Sequence, residues 1–255
     1  MRHPRAGRGL AAALAAALAA VAALACLAGC ASPKPAPPAG LAGDPPQFIQ
    51  EEALAAAEVT GSVHVDMTSS SGSGSTVYST DVSSSAGRQV ITITGGGKAT
   101  VLDVAGVGYV SGNAAALVGF FGFPAAASAR LAGRWVSFRS GQPYYQQVVD
   151  AVTLGSAMGV VTLSGRLTSK GVRSVGGQPA VAVLGTAPGV PGVPAHTKAT
   201  LYVATTGRLL PVSYAEASGS IRLSAVFSRW GEKVSVAAPR GAVPVTSVIK
   251  SSGGT

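Results

Sequence analysis

The sequence predicts a mainly β (α+β) protein: one strongly curved antiparallel sheet of about ten strands cradling two or three short helices. Three observations predict it. Apolar and polar residues alternate with period two through most of the chain. Clusters rich in Gly and Ser separate the alternating runs at short intervals, as in an antiparallel meander. No strand–helix–strand alternation of the kind that builds a parallel sheet occurs. A sheet of ten or more strands must curl or close. The chain has 255 residues, 47% hydrophobic and only 11% charged, so it is too apolar to be disordered.

The N-terminus is a targeting signal. Arg2, Arg5 and Arg8 precede an Ala/Leu/Val run from Leu10 to Ala28, the charged and apolar regions of a secretory signal. Leu27-Ala28-Gly29-Cys30 resembles the bacterial lipobox. The resemblance implies cleavage after Gly29 and a diacylglyceryl thioether on Cys30, since only a thiol forms that bond. Cys26 lacks the branched residue three positions earlier, where Ala23 stands. Residues 30–46 carry six prolines, which exclude a helix interior or central strand. They form the expected tether between a membrane anchor and a single domain over 47–248, followed by a flexible tail, 249–255. A chain starting at Gln47 is expected to melt like the longer one.

Gln47 to Val59 reads as a short helix with Phe48, Ile49, Ala53 and Ala56 on one face, stopped by Gly61. Strands are expected from Val63 to Met67, Thr76 to Val82, Arg88 to Thr94, Ala99 to Val104 and Gly108 to Val110. Asn113 is placed to cap a helix through Val118, which runs into the apolar stretch Gly119 to Pro124. Arg134 to Arg139 reads as a strand, and Pro143 opens a helix from Tyr144 to Val152. Further strands are expected over Val160–Leu167, Gly171–Val175, Ala180–Gly185, Lys198–Ala204, Pro211–Ala217, Ser220–Ser228 and Glu232–Val236. Pro188 to Pro194 reads as a rigid connector.

This order resembles a known family. The lipobox, the Pro-rich tether and the Ala-rich helix are followed by GSVHVDM and a meander ending in GVGYVSGN. Then come the hairpin GVRSVGGQPAVAVLG and the strand pair LYVATTGRLLPVSYAE. From Phe48 to Val245 the chain is similar to actinobacterial lipoproteins of the LppX/LprG type, which share a half-barrel fold with the LolA/LolB carriers. The resemblance implies an apolar cavity for the acyl chains of a lipid or lipoglycan. It brings no catalytic residues.

Strand parity names the candidate lining. Val63, Val65 and Met67 share a face, as do Ile91 and Ile93, Leu201 and Val203, and Ile221, Leu223, Ala225 and Phe227. The helical segments add Phe120, Phe121, Phe123, Tyr145 and Val149. If these side chains only line the bowl, a cavity of roughly 300–1,000 Å³ is expected; if they fill it, the protein is a packed structural or sensory lipoprotein. Phe120, Phe121 and Phe123 read equally as a lip at the mouth or as a plug in the core.

No enzyme is expected. The chain carries no GxSxG, HExxH or CxxC motif, and no cofactor or metal site is read from it. His64 and Asp66 share a strand face and read as a solvated polar pair; His196 sits in a Pro/Gly loop. Gly106 to Gly112 and Gly95 to Lys98 read as hairpin turns, not phosphate loops. The net charge of +9 is scattered, with no aromatic-interleaved basic stripe for nucleic acid. The expected partners are the membrane, through the Cys30 anchor, and a lipid ligand, and the expected state is a monomer.

Overall fold

The period-two pattern folds as twelve strands in one open sheet. The computed structural model describes residues 41–150, 152–188 and 197–250. Cys30, the signal, most of the tether, the connector beyond Pro188, His196 and residues 251–255 lie outside them. The N-terminal meander is β1 (Ser62–Ser71), β2 (Gly74–Ser83), β3 (Ala86–Ile93), β4 (Gly97–Val104), β5 (Val107–Gly112) and β6 (Val136–Phe138). The C-terminal one is β7 (Ser164–Val175), β8 (Gln178–Thr186), β9 (Lys198–Ala204), β10 (Pro211–Ser218) and β11 (Ile221–Ser228). The two join through antiparallel pairing of β1 with β11. A final short strand, β12 (Val243–Pro244), lies parallel to β6, so the curved half-barrel is mixed and not purely antiparallel. It has twelve strands where about ten were expected.

Six helices lie among the described residues: α1 (Pro46–Thr60), α2 (Ala114–Gly119), α3 (Ala125–Leu131), α4 (Tyr145–Val149), α5 (Leu154–Val161) and α6 (Val245–Lys250). Pro46 opens α1, and Gly61, at φ +81°, ends it by donating its N–H to the Ala57 carbonyl. Its buried face is Ile49, Gln50, Ala53 and Ala57. Phe48, expected on that face, is 46% exposed. The sequence reading favoured the largest apolar residue and overlooked Gln50, which is held by its hydrogen bonds. The Gln50 amide donates to the Leu163 carbonyl (3.1 Å) and accepts from the Leu163 N–H (2.8 Å), tying α1 to the start of β7.

The packed domain starts earlier than the tether was expected to end. Leu41–Gly43 forms a 3-10 turn, and Leu41 is buried in the same core as Ile49 and Leu167. A chain shortened to begin at Gln47 loses that leucine. We expect it to be less stable than a chain beginning at Gly40 by about 2 kcal/mol, seen as a lower midpoint in thermal melts.

Three segments differ from the sequence reading. Leu154–Val161, whose last two residues were read as the start of a strand, is helix α5, because Thr153 caps it by accepting from the Ser156 N–H (3.2 Å). Gly171–Val175 is the end of the single long strand β7, which contains two register shifts. Glu232–Val236, expected as a strand, belongs to no ladder. It is part of a strap, residues 229–242, that leads from β11 to β12, seven places away in the sheet. That separation is about 34 Å at strand spacing, and roughly 14 extended residues reach about 46 Å. Val234 and Val236 are half-buried while Lys233 and Ser235 are exposed, so the strap mimics strand alternation without strand pairing.

An apolar cleft between two core clusters as the candidate functional site

The sheet buries its concave face in two separate clusters. The first gathers α1, α5 and the β1, β8–β11 half: Val63, Val65, Leu201, Val203, Tyr214 and Phe227, with Met67 and Leu223 at its margin. The second gathers α2–α4 and the β3–β6 half: Ile91, Val110, Leu117, Phe121, Phe123 and Phe138, with Ile93, Phe120 and Tyr145 at its margin. The Asn113 side chain caps α2 as the sequence predicts, accepting from the Ala116 N–H (3.0 Å).

Two glycines bring the wall of the site onto the sheet. Gly87, Asp103 and Gly108 lie in one row across β3, β4 and β5. A Cβ on Gly87 would sit 2.0 Å from the Val152 carbonyl oxygen, and one on Gly108 would sit 2.8 Å from a Val148 methyl. The chain between α4 and α5 therefore rests on bare backbone. Asp103, buried between the glycines, accepts from the Gly106 N–H (3.1 Å). Burial raises its pKa, and that hydrogen bond offsets part of the rise.

Between the clusters remains a cleft of about 190 Å³. Val65, Met67, Ala225 and Phe227 form one side, Tyr78 and Phe120 the other, and Ala157, Val160 and Val161 of α5 form the remaining wall. Its polar groups are largely engaged. The Gln89 amide donates to the Thr80 hydroxyl (3.1 Å), and Asp150 accepts from Gln146. Burial raises the Tyr78 pKa, with partial offset from its hydrogen bond to Thr76, so the phenol is neutral. The cleft presents mostly apolar surface, with Tyr78, Thr80 and Gln89 as neutral polar groups and the Asp150 carboxylate also in its lining.

Of the sixteen candidate lining residues, Val65, Met67, Phe120, Ala225 and Phe227 line the cleft, and Ile221 is half-buried outside both clusters. Val63, Leu201, Val203 and Leu223 are packed in the first cluster, and Ile91, Ile93, Phe121, Phe123 and Tyr145 in the second. Val149 packs over Gly108. The phenylalanine stretch thus divides its roles: Phe121 and Phe123 are core, at 3% and 4% exposure, while Phe120 reaches the cleft and stands 6.1 Å from the Tyr78 ring. The volume falls below the expected 300 Å³ because most inward side chains meet one another. Sequence reasoning missed Tyr78 and Thr80, which share the inward parity of Val82 on β2, and missed the α5 wall by leaving Leu154–Gly159 unassigned and reading Val160 and Val161 as strand.

Among the described residues no helix is long and apolar enough to cross a membrane. The chain matches no protein-family model and no curated protein. Solved structures do resemble it. The lipoprotein LppX of Mycobacterium tuberculosis is 18% identical, covers 75% of this chain and 98% of its own, and superposes with a TM-score of 0.51. LprF of Mycobacterium bovis is 17% identical, with coverage of 77% and 97% and a TM-score of 0.48. With its open curved sheet and its helices packed in the concave face, the chain has an LppX-type half-barrel fold.

Proposed function

We propose that the protein is a lipoprotein held on the extracytoplasmic face of the cell membrane through a lipidated Cys30. It binds the acyl chain of a lipid, or a similar apolar ligand, in the cleft between its two core clusters, and it carries the ligand without chemical conversion. One observation supports this reading most: between the two filled clusters the described residues leave an apolar gap bounded by Phe120, Phe227, Met67 and α5. An apolar cavity of roughly 150 Å³ suffices for a benzene-sized molecule, so this cleft suits a length of one chain. A lipid with several chains requires the two clusters to part.

The test is uptake of a fluorescent fatty acid. Wild-type protein should bind it, and Ala225→Trp and Ala157→Trp, which place an indole in the cleft from opposite walls, should weaken binding at least tenfold with an unchanged circular dichroism spectrum. Wild-type protein that binds no probe and carries no lipid in mass spectrometry would support the second reading, a packed structural lipoprotein; the candidates buried in the two clusters, Val63, Leu201, Val203, Ile91, Phe121 and Phe123, favour that reading. The anchor is tested separately by metabolic labelling with an acyl analogue. Label should vanish in Cys30→Ser, since serine cannot form the thioether, and label that persists rules the anchor out.

A further inference from the structure

The face of the sheet opposite the clusters carries a charged site that the concave cleft does not use. Cross-strand pairing sets Arg88 (β3), Asp81 (β2) and His64 (β1) side by side, with Ser228 (β11) next in the row. Arg229 follows with a left-handed backbone, φ +50°, and starts the strap. The strap is fastened to β1 by the Gly231 N–H donating to the Ser62 carbonyl (3.0 Å) and by the Ser62 hydroxyl donating to the Glu232 carbonyl (2.7 Å). Residues 232–236 then close over the charged row and leave a cleft of about 240 Å³ lined by His64, Asp81, Arg88, Arg229, Glu232 and Lys233. His64, expected on a solvated face, is only 11% exposed in its side chain, because it lies beneath this covering.

The pairing in the row leaves positive charge unanswered. Asp81 Oδ1 lies 2.7 Å from His64 Nδ1 and accepts from the Arg229 guanidinium at 3.1 Å. Glu232 faces the same guanidinium at 3.8 Å, and Asp66 takes the other ring nitrogen of His64 at 3.2 Å. Arg88 is the direct cross-strand neighbour of Asp81 but makes no ion pair with it, and Asp81 Oδ1 is shared by His64 and Arg229. Neither Arg88 nor Lys233 has an ion-pair partner among the described residues, and both line the cleft. Three Lys/Arg side chains here face two carboxylates, both already engaged by Arg229. An anion between Arg88 and Lys233 would relieve their repulsion and meet the planar donor fork of an arginine, which suits phosphate oxygens.

We infer that this strapped cleft binds a phosphate group, with Arg88 and Lys233 as its ligands and with Asp81 and Glu232 holding Arg229 in place. The group belongs either to a free phosphate compound or to a phospholipid headgroup at the membrane surface. This inference does not depend on the concave cleft.

The experiment titrates the purified full-length chain with inorganic phosphate by calorimetry at low salt. In parallel, the Cys30→Ser chain, which carries no anchor, is sedimented with phosphatidylglycerol or phosphatidylcholine vesicles. The cleft variant is Arg88→Gln/Lys233→Gln. The control is Arg166→Gln/Lys170→Gln, which removes the same charge from exposed positions on β7. We expect phosphate binding that the cleft variant weakens at least tenfold and the control less than twofold. Binding to both vesicle types or to phosphatidylglycerol alone, with the same pattern of loss, identifies the headgroup as the source; phosphate binding without vesicle binding identifies a free compound. No binding to phosphate or to either vesicle, or equal losses in the cleft and control variants, overturns the inference.

Discussion

Gly87→Ala is expected to destabilise the fold by about 3 kcal/mol, the upper end of the usual cost of overpacking. The added methyl would fall 2.0 Å from the Val152 carbonyl oxygen, which is backbone and cannot rotate away. The segment between α4 and α5 has to lift from the sheet, and Val148 and Val152, both fully buried, lift with it. For a domain of this size the thermal midpoint should fall by roughly 6–12 °C. Because Asp150 and Ser156 flank that segment and line the apolar cleft, fatty-acid uptake should change as well. A melt within a degree of wild type would show that the helical wall does not rest on Gly87.

Tyr214→Phe is expected to cost about 3 kcal/mol, since it strips from a buried carboxyl the one hydrogen bond it makes among the described residues. Tyr214 is fully buried and donates to Glu216 Oε2 at 2.6 Å, while Glu216 Oε1 has no hydrogen-bond partner among the described residues. The double change Tyr214→Phe/Glu216→Met removes both polar groups from the interior and should recover most of the loss, which urea unfolding of the two singles and the double will show. Simple addition of the single effects would mean that the pair is not coupled. Burial, and then the hydrogen bond and charge of Glu216, hold the Tyr214 pKa well above the ordinary tyrosine value. The unfolded chain ionises near pH ~10, so this contribution is complete below that pH and is lost as the pH rises beyond it.

The strands of both meanders were legible because each alternating run has one buried face, and register follows parity. Val63 and Val65 against His64 and Asp66 is the clearest case. Short helices were legible where their start was recognised: Asn113 announced α2 and Pro143 the α4 segment, whereas Thr153, which caps α5, and Pro124, which precedes α3 without a side-chain cap, went unread. The β-branched Val160 and Val161 suggested strand, and the cap and the packing against the sheet prevailed. The strap was misread because alternation records which side chains meet the sheet, not whether the backbone pairs with it. The cleft was the least legible feature. Parity identifies inward side chains, yet whether two of them touch or leave a gap depends on how closely α4 and α5 approach, which Gly87 and Gly108 decide through their missing side chains.

The pairing of β1 with β11 also has a consequence in time. The chain emerges N-terminus first, so β1 appears well before β11 and the first meander exists for a while with a free edge. A free edge invites a second copy of the chain. The sequence of β1 answers this hazard: Ser69, Ser70 and Ser71 occupy its far end, and His64 and Asp66 its outward face, so the waiting edge is polar along much of its length. Once β11 docks, the strap, β12 and α6 remain to be placed among the described residues, and all lie within the last segment to be made. The order in which the chain appears is thus the order in which its edges are closed.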